Sequence, residues 1–192
     1  MLRLILVRPG ATDFDEQGRI KGALDIPLNA HGQNQVAQTV DELVQLNLDR
    51  IYTAPCQSAQ QTAQALAKGR NVKIKEVEAF ANLDHGLWQG KLIKEVKQKQ
   101  PKVYKKWQEH PELVCPPEGE TIEAAKQRVN TALMKMIKKH KSGVVALVVP
   151  EPLASLLNCF LSSKDIGDLW ASECDSGKWE SIDIEPEKLV PA

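Results

Sequence analysis

The chain has no excess of charge of either sign: 25 Lys and Arg stand against 25 Asp and Glu. No global field therefore draws it to nucleic acid or to an anionic membrane. A long apolar run is missing too. Leu2–Val7 carries Arg3, is followed by Arg8, and falls far short of the roughly 20 residues that cross a bilayer. The expectation is a cytoplasmic protein with neither a membrane nor a nucleic-acid partner. Only four cysteines occur, Cys56, Cys115, Cys159 and Cys174, and none has metal-type spacing. They read as reduced thiols, so neither a metal nor a cofactor is expected. Internal repeats and Pro/Gly-rich linkers are likewise lacking. What remains is 192 residues, 42% hydrophobic and 26% charged, suited to one domain over residues 1–192 with a sizeable core.

Leu2–Val7 followed by Arg8-Pro9-Gly10-Ala11-Thr12 reads as a buried strand whose carboxyl end opens into a loop. In open α/β sheets ligands bind at that end. Arg8 stands there as a positive fork suited to phosphate or carboxylate, or else as an ion-pair partner for Asp13 or Asp15. Residues 13–30 are polar and glycine-bearing and are expected to form one long functional loop. His31 to Leu46 has helical spacing, 50–53 a short strand, and Pro55 a place where the next helix starts. Residues 72–77 form a strand and 78–90 a loop. Residues 91–110 form a lysine-rich helical stretch broken by Pro101, part of an insertion at about 91–118. Thr121 N-caps a long helix, and Val144–Val149 is a strand buried on both faces. A helix through Leu153 and Phe160 and an alternating edge strand, Trp179–Ile184, complete the chain. Strands alternating with helices predict an α/β three-layer sandwich.

Five segments carry a resemblance. Arg8-Pro9-Gly10-Ala11-Thr12 is the first, and Ala54-Pro55-Cys56-Gln57-Ser58-Ala59 with Thr62-Ala63 the second. Gly86-Leu87-Trp88-Gln89-Gly90 follows, then Pro117-Glu118-Gly119-Glu120-Thr121; Val148-Val149-Pro150-Glu151 ends a strand. Together they resemble the histidine phosphatase superfamily, the phosphoglycerate-mutase-like proteins. That resemblance implies an αβα sandwich with a mostly parallel sheet and an antiparallel edge strand. It also implies where the chemistry should sit. The nucleophilic histidine falls on Pro9, the second phosphate-clamping arginine on Ser58, the acid/base carboxylate on Asn82 and the second histidine on Pro150. An asparagine position is Asp15. Arg8 keeps the family's residue, supported by Gly10 and Thr12.

Proline has no atom that can accept a phosphoryl group or a proton, and an amide cannot serve as a general acid near neutral pH. The expected pocket is close to neutral, Arg8 against Asp15, with Arg8 and Ser58 left to hold any anion. The four histidines offer no clear replacement. His31 and His140 read as surface residues, His110 as a loop residue, and His85 either as a pocket-rim group or as a loop histidine without a role. Glu151 could point inward, where a carboxylate repels phosphate. Cys56 reads as a structural thiol near the pocket. The leading expectation is a catalytically inactive histidine-phosphatase-like protein that binds an unknown small anion or a protein partner, with a homodimer open. The alternatives are a residual or altered phosphatase or mutase of small phosphorylated metabolites, and a scaffold that uses the lysine-rich segment.

Overall fold

The computed structural model describes residues 1–162 and 166–185; the remainder of the expected 1–192 domain lies outside them. Five strands form one sheet in the order β3-β2-β4-β1-β5. They are β1 (Leu2–Val7), β2 (Arg50–Thr53), β3 (Ile74–Glu76), β4 (Gly143–Val148) and β5 (Trp179–Ile184). β1 runs parallel to β4, with Leu2 opposite Gly143 and Val7 opposite Val148. β5 closes that side antiparallel to β1, pairing Val7 with Trp179. The fold is the α/β sandwich that the alternation of elements predicted.

Consecutive buried residues explain why helices cover both faces. Leu4, Ile5, Leu6 and Val7 are all fully buried, as are Val145 to Val149, although successive strand side chains point to opposite faces. The covering helices include α2 (Ala30–Glu42), α3 (Gln57–Ala67), α6 (Ile122–Lys139) and α7 (Leu153–Ser162). α6 buries Ile122, Ala125, Val129, Leu133, Met136 and Ile137 along one stripe. Thr121 caps it as expected, its side chain accepting from the Ala124 N–H at 3.1 Å.

The polar segment after β1 is not all loop. A one-turn helix, α1 (Asp13–Gln17), forms because Thr12 and Asp15 make a reciprocal capping box and Gly18 closes it in the left-handed region at φ 67°. Local capping chemistry there outweighs the lack of an apolar stripe. Residues 78–90 likewise contain two short 3₁₀ turns, Glu78–Phe80 and Gly86–Trp88.

The lysine-rich segment folds as two helices, α4 (Ile93–Lys99) and α5 (Pro101–Glu109), hinged at Pro101. Trp107 anchors α5: it is 1% exposed and meets the Trp88 ring edge-on at 5.6 Å. His85 belongs to this aromatic cluster and not to a pocket rim. It is completely buried, its ring centroid 5.4 Å from that of Trp107 and its Nε2 3.3 Å from Glu173 Oε2.

Candidate phosphate site

The carboxyl ends of β1 and β4 lie side by side and bring Arg8, Pro9, Pro150 and Glu151 together. The loop after β1 is held close to α2. A Cβ on Gly10 would come within 2.2 Å of the Gly32 carbonyl oxygen, so only glycine permits this approach. The Gly10 N–H faces Thr62 Oγ1 at 3.4 Å, and Ala11 N–H donates to Gln35 Oε1 at 2.8 Å.

Arg8 does not face open solvent or an empty anion site. Its Nε donates to Glu151 Oε1 at 2.5 Å and its Nη1 to Glu180 Oε1 at 2.8 Å. Both carboxylates are themselves held. Glu151 Oε2 accepts from the Ser155 N–H at 3.0 Å, and Glu180 Oε2 from Asn158 at 2.6 Å. The Arg8 side chain is 11% exposed and that of Glu151 0%. Burial works against the Arg8 charge, but the two carboxylates outweigh it and hold the guanidinium above its usual value. Burial pushes the Glu151 carboxyl up as well, opposed by Arg8 and Ser155.

Asp15, expected to oppose Arg8, is turned elsewhere. Its Oδ1 pairs with Lys21 Nζ, and its Oδ2 accepts from the backbone N–H and the hydroxyl of Thr12, both at 2.7 Å. The capping box fixes that carboxylate over its own helix, so it cannot reach across to Arg8. Lys21, 7% exposed, also donates to the Glu173 carbonyl at 3.2 Å. Sequence reading missed Lys21 and Glu180. A lysine between Ile20 and Gly22 carries no periodic signal. Glu180 could have been noticed as an acidic residue in the strand that pairs beside Leu6.

Asn82, 5% exposed, donates from Nδ2 to the carbonyls of Gly22 at 3.1 Å and Glu151 at 2.9 Å. It ties the loop after β4 in place as a backbone brace. Ser58 sits buried at the start of α3, its Oγ 3.7 Å from Cys56 Sγ. Burial is the main influence that raises the Cys56 thiol above its usual range, which suits a structural thiol.

Between Pro9, Thr12, Lys21, Ser58, Pro150 and Glu151 remains a cavity of about 10 Å³. That is about the minimum for one water molecule. Arg8 is not one of its walls, being turned to Glu151 and Glu180. His31 and His110 are exposed, and His140 shares a hydrogen bond of 2.8 Å with Tyr52. The surface position expected for His140 is therefore half-buried. Among the described residues no group of three His, Cys, Asp or Glu is placed to hold a metal. No helix among them is long and apolar enough to cross a membrane.

The profile of the histidine phosphatase superfamily (branch 1) matches residues 4–191. The chain belongs to that superfamily. Phosphoserine phosphatase 1 of Hydrogenobacter thermophilus is 30% identical over 190 residues, which cover 99% of this chain and 90% of that protein. Adenosylcobalamin/alpha-ribazole phosphatase of Escherichia coli is 24% identical, covering 95% of this chain and 90% of that protein. Among solved structures, Bacillus stearothermophilus YhfR superposes with a TM-score of 0.83 at 24% identity, over 96% of this chain and 92% of that one. The superfamily's fold is retained, and the structure places Pro9, Ser58 and Pro150 around one small cavity, with Asn82 bonded to the Glu151 carbonyl beside it.

Proposed function

We propose that this chain is a non-catalytic member of the histidine phosphatase superfamily, a phosphatase-like protein that acts by binding and not by phosphoryl transfer. The contact of Arg8 with Glu151 and Glu180 carries the reading. The one cation retained from the family's phosphate clamp is neutralised from within, and an acidic side chain stands where a substrate phosphoryl group would need to approach. A phosphoenzyme requires a nucleophile, and Pro9 and Pro150 supply none. Thr12, Asp15 and Lys21 are bonded to one another beside a space too small for a phosphate.

The experiment is incubation of the purified chain with labelled phosphomonoesters, phosphoserine and a ribazole phosphate included. The expected result is no turnover and no acid-labile phosphate on protein. A second reading, an altered phosphatase of small phosphorylated metabolites, is supported by the relatives, a phosphoserine phosphatase and an adenosylcobalamin/alpha-ribazole phosphatase. Turnover that disappears in Lys21→Ala would establish that second reading and overturn the first.

A further inference from the structure

Outside the site around Pro9, a groove of about 260 Å³ runs between α6 and the paired strands β2 and β3. Its size lies just under the range of about 300–1,000 Å³ typical of small-molecule sites. Tyr52 and Lys75 are opposite each other in the β2–β3 register and so share one face of the sheet. Lys135 and Lys139, one helical turn apart on α6, line the facing wall. Phe80 and Met136, 0% and 4% exposed, give the groove an apolar floor.

The charges in this groove are unbalanced. The described ion pairs engage none of Lys75, Lys135 and Lys139. Arg128 also lines it, but is held by Glu120 at 2.5 Å. Glu76 of β3 is bonded to Gln60 Nε2. Like charges four residues apart destabilise a helix, so Lys135 and Lys139 are unfavourable together unless something anionic meets them. Lysines on an edge strand can serve to block strand pairing, and Lys139 suits a helix carboxyl end. Neither reason accounts for Lys135 or for three lysines lining one groove with an apolar floor. Two further observations point the same way. Arg50, two residues before Tyr52 on β2, has a buried Nε without a hydrogen-bond partner. His140 is held below its usual value by burial and then by Lys139 and Arg50, with Asp49 opposing.

We propose that this groove is a binding site for a small anion with an apolar body, its phosphate or carboxylate held by Lys75, Lys135 and Lys139 and its body lying on Phe80 and Met136. Such a ligand needs both parts: the lysines alone are exposed and strongly hydrated, and the floor supplies the contact area. Phosphate and carboxylate heads share the chemistry and differ in charge, so both are tested.

The test is calorimetric titration of the full chain with phenyl phosphate, benzoate and inorganic phosphate, together with NMR of the histidine rings. Phenyl phosphate or benzoate should bind, more tightly than inorganic phosphate, and should move the His140 signals while leaving those of His85 in place. Lys135→Glu with Lys139→Glu should weaken binding at least about tenfold, the effect of losing a charge-assisted bond. Raising the ionic strength should weaken it as well. Ala132→Trp, which fills the groove and leaves the charges, should abolish binding of the aromatic probes, with circular dichroism to verify folding. Absence of binding by both aromatic probes would overturn the site, as would binding that the double lysine variant leaves intact. Inorganic phosphate binding as well as phenyl phosphate would overturn the role of the apolar floor.

Discussion

At the carboxyl ends of β1 and β4, Arg8 is met by two carboxylates, each held by a further hydrogen bond, around a cavity of about 10 Å³. Between α6 and β3, three lysines face a cavity of about 260 Å³, and among the described residues no ion pair engages them. The first region lies where the resemblance to the superfamily implies the phosphate site, and its electrostatics are satisfied internally. The second has no place in that chemistry and is left unsatisfied. An anion has nothing to gain in the first region until Glu151 leaves, whereas in the second it relieves repulsion already present. A cation's identity is thus a poor guide to binding; what counts is whether the fold supplies its counter-ion.

Restoring the family's chemistry tests the first half of that contrast most severely. Pro9→His alone should give no phosphatase activity. The combination of Pro9→His, Ser58→Arg, Asn82→Glu and Pro150→His should stay inert as long as Glu151 occupies Arg8. Adding Glu151→Gly should raise the rate on a small monoester by about 10²–10³, the worth of one preorganised donor at such a site. Activity in the quadruple variant equal to that in the quintuple would break the account of Glu151 as the blocking group.

Removing one cation from each region should affect stability very differently. Arg8→Met leaves Glu151 buried and uncompensated, and should cost about 3–5 kcal/mol in urea unfolding. Lys135→Ala, which relieves a like-charge neighbour on an exposed helix face, should fall within about 0.5 kcal/mol of wild type. Equal losses in the two variants would erase the comparison.

The pH dependence sharpens it further. Burial places the Glu151 carboxyl above its ordinary value of 4.5 in the folded chain. A folded state that binds this proton more tightly than the unfolded state gains stability below the unfolded value and loses it as pH rises through the folded one. The stability of wild type relative to Glu151→Gln should therefore fall as pH rises from just below the ordinary glutamate range. A rise over that interval would show that Arg8 outweighs burial. The smallest effect belongs to His140: in Lys139→Ala its NMR titration should move up towards the usual histidine value, since one of the nearby positive charges that depress it is gone. An unchanged titration would mean that burial and Arg50 set it without Lys139.

Most of the architecture was legible in the residues themselves. The unbroken apolar runs of β1 and β4, the cap at Thr121, the break at Pro101 and the alternation of Trp179–Ile184 each follow from short-range pattern, because burial on one face or two imposes period and composition. The same holds for what the site lacks, since a proline at position 9 or 150 is without a nucleophile in any fold. Which charges meet was not legible. Asp15 belongs to Lys21 because a capping box, set by backbone geometry at Thr12, aims it away from Arg8. Glu151 and Glu180 reach Arg8 from positions 143 and 172 residues away, and Lys75 meets Lys135 only because β3 pairs beside β2 under α6. Sequence sets the chemical identity of each group and the period of each element. The electrostatic environment of a group is set by neighbours distant in the chain, and those are chosen only when the sheet order and the helix packing bring them together.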